Sequence, residues 1–159
     1  FLYNCYLRTS IDHMEKTFLN VFVDMEWSLS EKSEGSPLSI ALMTDIEDRV
    51  IYGEFQIPEI VSTWTQHHVL PQLQGLPVQP VLDAIQQYKG AQVRWWATEP
   101  AVKQWLASNH GIESSLLPST EKARQTIWWL TQEWLDAHNN YNSFTDVQLL
   151  KKQWHAIFK

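Results

Sequence analysis

Apolar positions cluster into short runs in the first third of the chain and take up helical spacing afterwards. Phe18–Asp24 is an apolar, β-branched run and predicts a first strand. The polar, Gly-containing stretch Ser28–Ser36 predicts a loop, and Leu38–Met43 a second strand. Asp45–Arg49 makes a polar turn into a third strand, Val50–Ile57, so the first three strands read as a meander. Ile60–His68 has helical spacing, which Pro71 ends. Gln79-Pro80 starts a helix to about Tyr88, with Val81, Leu82, Ile85 and Tyr88 on one face, and Lys89-Gly90 stops it. Ala91–Ala97 predicts a fourth strand. Pro100 opens a helix through Ser108, closed by Asn109-His110-Gly111. Ser119 or Thr120 caps a long helix ending near His138 that carries Ile127, Leu130, Trp134 and Leu135. Asn139–Thr145 reads as a loop, and Asp146–Phe158 as a last helix with Val147, Leu150, Trp154 and Phe158 on one side.

The 159 residues make about one domain, with 44% hydrophobic residues and so an ordinary core. Residues 1–13 do not match the rest of the chain in pattern. His13-Met14 is a dipeptide that a common cloning site leaves before a native start, so a vector-derived leader and a domain spanning 14–159 are expected. The nine tryptophans are read mostly as core, because indole buries a large apolar area. A net charge of −6 argues against broad, sequence-independent adhesion to nucleic acid. Cys5 is the only cysteine, which removes an intrachain disulfide and a thiolate zinc cage and predicts a cytoplasmic protein. No stretch has the length of a transmembrane helix, so no membrane partner is expected.

The chemistry starts at Asp24-Met25-Glu26. Residues two apart on a strand share a face, so Asp24 and Glu26 project together. Two buried carboxylates side by side repel and cost desolvation; a divalent cation between them removes both problems and makes a site for phosphate chemistry. The bland alternative makes Glu26 the first polar residue after the strand. Other constellations carry less. His67 and His68 are adjacent and diverge on a helix; Asp45, Glu47 and Asp48 read as a solvated turn; Lys151-Lys152 reads as a solvated helix face. Gly-x-Ser-x-Gly, the P-loop and the dinucleotide Gly-rich turn do not occur.

Three antiparallel strands followed by alternating helices and strands predict an α/β fold, a mixed sheet flanked by helices, in the order of the ribonuclease H-like fold. Phe22-Val-Asp24-Met-Glu26, then Leu38-Ser-Ile-Ala-Leu42, Val50-Ile-Tyr-Gly-Glu54 and Thr65-Gln-His-His-Val-Leu-Pro-Gln-Leu73 resemble the DEDD 3′–5′ exoribonucleases, in their small bacterial and phage branch. The likeness is best over residues 18–73 and beyond that extends only to element order. It implies an exonuclease acting on RNA or single-stranded DNA 3′ ends through two Mg²⁺ or Mn²⁺ ions, and leaves a homodimer open. Asp24 and Glu26 match the family's first motif, and Asp146 the last acid, so these three are the implied metal ligands. Trp27, beside the acids, is the candidate for stacking on a terminal base.

The family pattern is incomplete here. Its third acid follows a Trp-rich strand; Trp95-Trp96-Ala-Thr-Glu99-Pro100 offers Glu99 alone, at a helix start where an acid is favoured without function. Its general base is a His five residues before the last acid, or a Tyr four before it. Tyr141 stands five before Asp146 and His138 is off register, so either would orient the water. The chain thus has two candidate functions: an active metal-dependent 3′–5′ exonuclease, or a degenerate domain of the same type that binds a protein or nucleic acid.

Overall fold

The computed structural model describes residues 18–90, 92–138 and 142–159. The expected leader at residues 1–13, Cys5 and Tyr141 lie outside the described residues. Five strands form one mixed sheet: β1 (Leu19–Trp27), β2 (Pro37–Thr44), β3 (Ile51–Glu54), β4 (Val93–Ala97) and β5 (Ser114–Ser115), in the order β3-β2-β1-β4-β5. β1 pairs antiparallel with β2 and parallel with β4, so the strand bearing the acid pair is central. The helices are α1 (Thr63–His68), α2 (Gln79–Tyr88), α3 (Pro100–His110), α4 (Glu121–Ala137) and α5 (Ser143–Phe158). Among the described residues, no helix is long and apolar enough to cross a membrane.

Alternation along β1 divides the core in two. Val21, Val23, Met25 and Trp27 face a cluster with Val81 and Ile85 of α2 and Val102 and Leu106 of α3. Phe22 faces the other way, against Val147, Leu150 and Trp154 of α5. Its ring meets that of Trp154 edge-on at 5.3 Å. Asp24 and Glu26 continue the Phe22 face. One side of β1 therefore runs from an aromatic contact to a pair of carboxylates, beneath a single helix. α4 packs outside α5 and is held by Gln153, whose amide donates to the Ile127 carbonyl (3.2 Å) and to Thr131 Oγ1 (2.9 Å).

Several boundaries differ from expectation. β1 continues through Glu26 and Trp27, because both acids stay in register with β2, opposite Ala41 and Ser39. β3 stops at Glu54, whose carboxylate turns back to accept backbone N–H bonds from Gln74 (2.7 Å) and Gly75 (2.6 Å). α1 begins at Thr63, capped by Ser62, which accepts from Thr65 N at 3.1 Å. Of the two proposed caps of α4, Thr120 is the one used, accepting from Ala123 N at 3.3 Å. α5 opens three residues earlier than predicted, capped by Asn142, so Asp146 is a side chain of the first turn and not the cap. The two-residue strand β5 carries too short a pattern to be read from sequence.

The tryptophans divide more evenly than expected. Trp27, Trp95 and Trp154 are buried, Trp96, Trp105 and Trp134 half-buried, and Trp64, Trp128 and Trp129 exposed. Leu135, one of the apolar residues that mark the predicted long helix, is also exposed. α4 is an outer layer and covers the domain with only part of its circumference.

Candidate metal centre

Two elements converge at one end of β1. Asp24 and Glu26 come from the central strand itself, and Asp146 from the first turn of α5 directly above it. One carboxylate oxygen from each lies within 4.8 Å of the others. They line a cleft of about 820 Å³ whose walls include Lys32, Trp64, Thr98, Glu99, Arg124 and the 116–119 segment.

Local structure explains the convergence. β1 supplies two same-face acids. α5 lies across that face because Phe22, Ala41 and Met43 offer apolar ground to Val147, Leu150 and Trp154. Helical periodicity then puts Asp146, Leu149, Leu150 and Gln153 toward the cleft, while Gln148, Lys151, Lys152 and His155 line a depression on the other flank.

The electrostatics are those of crowded, desolvated carboxylates. Asp24 is 4% exposed. Its Oδ1 accepts a hydrogen bond from Thr98 Oγ1, while its Oδ2 is buried with no hydrogen-bond partner. Burial, and then the charges of Asp146 and Glu26, push Asp24 well above the usual carboxylate range, against the smaller opposing effect of Thr98. Burial also pushes Glu26 up to about 8, helped by the charge of Asp146 and by a hydrogen bond in which Glu26 keeps the proton. Asp146 rises to about 6 through burial, partly offset by that same hydrogen bond. A buried carboxylate oxygen with no donor is costly by itself. A hard divalent cation takes oxygen ligands of this kind, so the residues present fit such an ion.

The other predicted site residues fall in different places. Glu99 lines the same cleft, at the residue preceding α3. Its carboxylate does not cap the helix but forms an ion pair with Lys32 Nζ. His138 closes α4, stacked on Trp134 with ring centroids 3.9 Å apart, in the depression on the far flank of α5. The structure does not bring it to the acids, because the last turn of α4 ends behind the helix that carries Asp146. Trp27 borders the cleft but is buried in the core, with the indole N–H enclosed. Trp64, exposed and stacked on His68 at 4.6 Å, is the aromatic side chain that lines that space from α1. Lys151 turns away from the cleft and donates to the Glu47 carbonyl at 2.8 Å.

Thr98, Lys32 and Arg124 carry no signal in the sequence pattern. Thr98 comes directly after β4, and its N–H reaches the Val23 carbonyl at 3.3 Å, extending the parallel ladder to the residue beside Asp24. Only the β1–β4 pairing discloses that neighbour. Lys32 sits in a short 3₁₀ turn of the β1–β2 loop, and Arg124 on the first turns of α4. No protein-family model and no curated protein matches the chain.

Proposed function

We propose that this protein is a metal-dependent phosphodiesterase of the 3′–5′ exonuclease type, acting on RNA or single-stranded ends, on a ribonuclease H-like fold. The observations that carry the reading are the convergence of Asp24, Glu26 and Asp146 and the buried Oδ2 of Asp24 that has no hydrogen-bond partner. Central placement of the acid-bearing strand, with an antiparallel neighbour on one side and a parallel one on the other, supports the fold assignment. These three carboxylates would hold Mg²⁺ or Mn²⁺, which supplies Lewis acidity to water and to the phosphoryl oxygens.

The chain's own residues do the rest. Thr98 keeps one oxygen of Asp24 engaged and leaves the other without a protein donor. Trp64 offers a face for a base to stack on, and Arg124 a cation for the phosphate backbone. The water oxygen bonds to phosphorus as the P–O3′ bond breaks. One water proton ends on the leaving 3′ oxygen and the other on the released nucleotide's phosphate.

The test is Mn²⁺-dependent degradation of a 5′-labelled single-stranded RNA, wild type beside Asp24→Asn. A ladder shortening from the 3′ end, abolished by EDTA and by the substitution, is the expected result. A second reading, a non-hydrolytic binding domain, is favoured by the ion pair that occupies Glu99 and by the exposed Trp128 and Trp129 on α4. No product from folded wild type that still binds Mn²⁺ would select it.

A further inference from the structure

Lys32 reaches into the cleft from the β1–β2 loop, with its ammonium on Glu99 and its side chain 43% exposed. It lines the same cleft as Asp24, Glu26 and Asp146. Three carboxylates converge closely enough to share one ion, and Glu99 is not among them. The fourth acid is joined to an ammonium instead. A second divalent ion would have to compete with Lys32 for Glu99 and share ligands with the first.

Resting on the phosphodiesterase reading, we infer that the site works with one divalent ion and that Lys32 supplies the second positive charge, on a non-bridging oxygen of the scissile phosphate. An ammonium has three N–H donors, so Lys32 can keep Glu99 and still donate to a phosphate. Lys32 is then a catalytic residue, and Glu99 a positioning residue that holds the flexible lysine stem. Lys32 keeps its proton throughout, and the leaving 3′ oxygen is protonated from water as before. The ammonium stabilises charge that grows on the phosphoryl oxygens during P–O3′ cleavage, which affects kcat more than KM.

The experiment combines Mn²⁺ titration by calorimetry with single-stranded RNA kinetics, on wild type, Lys32→Met, Lys32→Arg and Glu99→Gln. One Mn²⁺ per chain is expected in all four, with affinity in Lys32→Met no weaker than wild type. Loss of the ammonium should lower kcat about 10²-fold with KM little changed, as removal of one preorganised donor does. Lys32→Arg should restore part of that loss, which separates missing charge from misfolding. Glu99→Gln should lower kcat without removing an ion. Two Mn²⁺ per chain, one of them lost in Glu99→Gln, would overturn the inference. So would active wild type with Lys32→Met at an equal kcat, while leaving the phosphodiesterase reading intact. Inactive wild type with Mn²⁺ bound overturns that reading and this inference together.

Discussion

Ser39 and Ser143 share a buried hydrogen bond, 3.0 Å between hydroxyl oxygens, that joins the two halves of the acid cluster. Ser39 stands directly across the β1–β2 ladder from Glu26. Ser143 is the first residue of α5, one turn before Asp146. The bond therefore pins the N-terminus of the helix to the strand pair at the level of the carboxylates, while Phe22 and Trp154 hold its other end.

Ser39→Ala leaves the Ser143 hydroxyl buried without this partner, and is expected to cost about 1–3 kcal/mol. Ser39→Ala with Ser143→Ala should cost less than the sum of the single changes, because both groups of one bond are then gone. Urea unfolding of the four proteins of this cycle measures the coupling. Mn²⁺ affinity should fall in the single variants, since Asp146 rides on the loosened turn.

Asp24→Asn should raise the stability of the metal-free protein at pH near ~8, because it removes a buried carboxylate from beside two others. The amide oxygen can still accept from Thr98. Thermal melts in EDTA check the gain, and the same melts with Mn²⁺ should show no metal-induced shift. A wild-type-sized shift in Asp24→Asn would exclude this aspartate as a ligand.

The metal-free protein should lose stability as the pH rises. Asp146 and Glu26 are raised to about 6 and about 8, and Asp24 is raised too, so the folded state binds protons that the unfolded chain has released. The contribution is fully present below the unfolded values of roughly 4 and is lost as pH climbs through the folded ones. Melting temperatures in EDTA should fall across that window. Saturating Mn²⁺ should flatten the profile, because the bound ion takes over the compensation that the protons provide.

Gly53 of β3 is set by packing, not by a turn. A Cβ there would meet the Pro77 carbonyl oxygen at 2.4 Å and Val78 Cα at 2.6 Å, both backbone atoms that cannot swing aside. Gly53→Ala should therefore cost about 1–3 kcal/mol through overpacking against the 73–78 segment. Chemical denaturation gives the number; a neutral result would mean that this segment shifts freely.

Trp64→Ala should weaken single-stranded RNA binding by about 1–3 kcal/mol per stacked base while changing stability little. Trp64 is 45% exposed, so its loss opens no core cavity. Fluorescence anisotropy with Ca²⁺ in place of Mn²⁺ measures the affinity. Trp27→Phe is the control: as a buried residue it should alter stability more than binding.

Much of the scaffold was legible because it is local. The apolar run ending in Asp24-Met25-Glu26 gives a strand with two acids on one face by alternation alone, and Gln79–Tyr88 keeps its predicted bounds because Pro80 and the apolar stripe act within one helix. Gly111, with φ of 64°, closes α3 in the left-handed conformation that glycine adopts at no steric cost. Asp146 was legible as a position, but as a helix opener; the capping residue is Asn142, and tertiary packing put Asp146 over β1. Whether Glu99 joins the acids, and that His138 does not, depended on the directions of two helices and on a lysine in a loop. A chain pattern encodes which side of an element is apolar, since that comes from dihedral periodicity. It does not encode which flank of α5 meets the end of α4, or that Thr98 lies beside Asp24. Those contacts join residues far apart in the chain, and they form only when strand pairing and helix packing settle together.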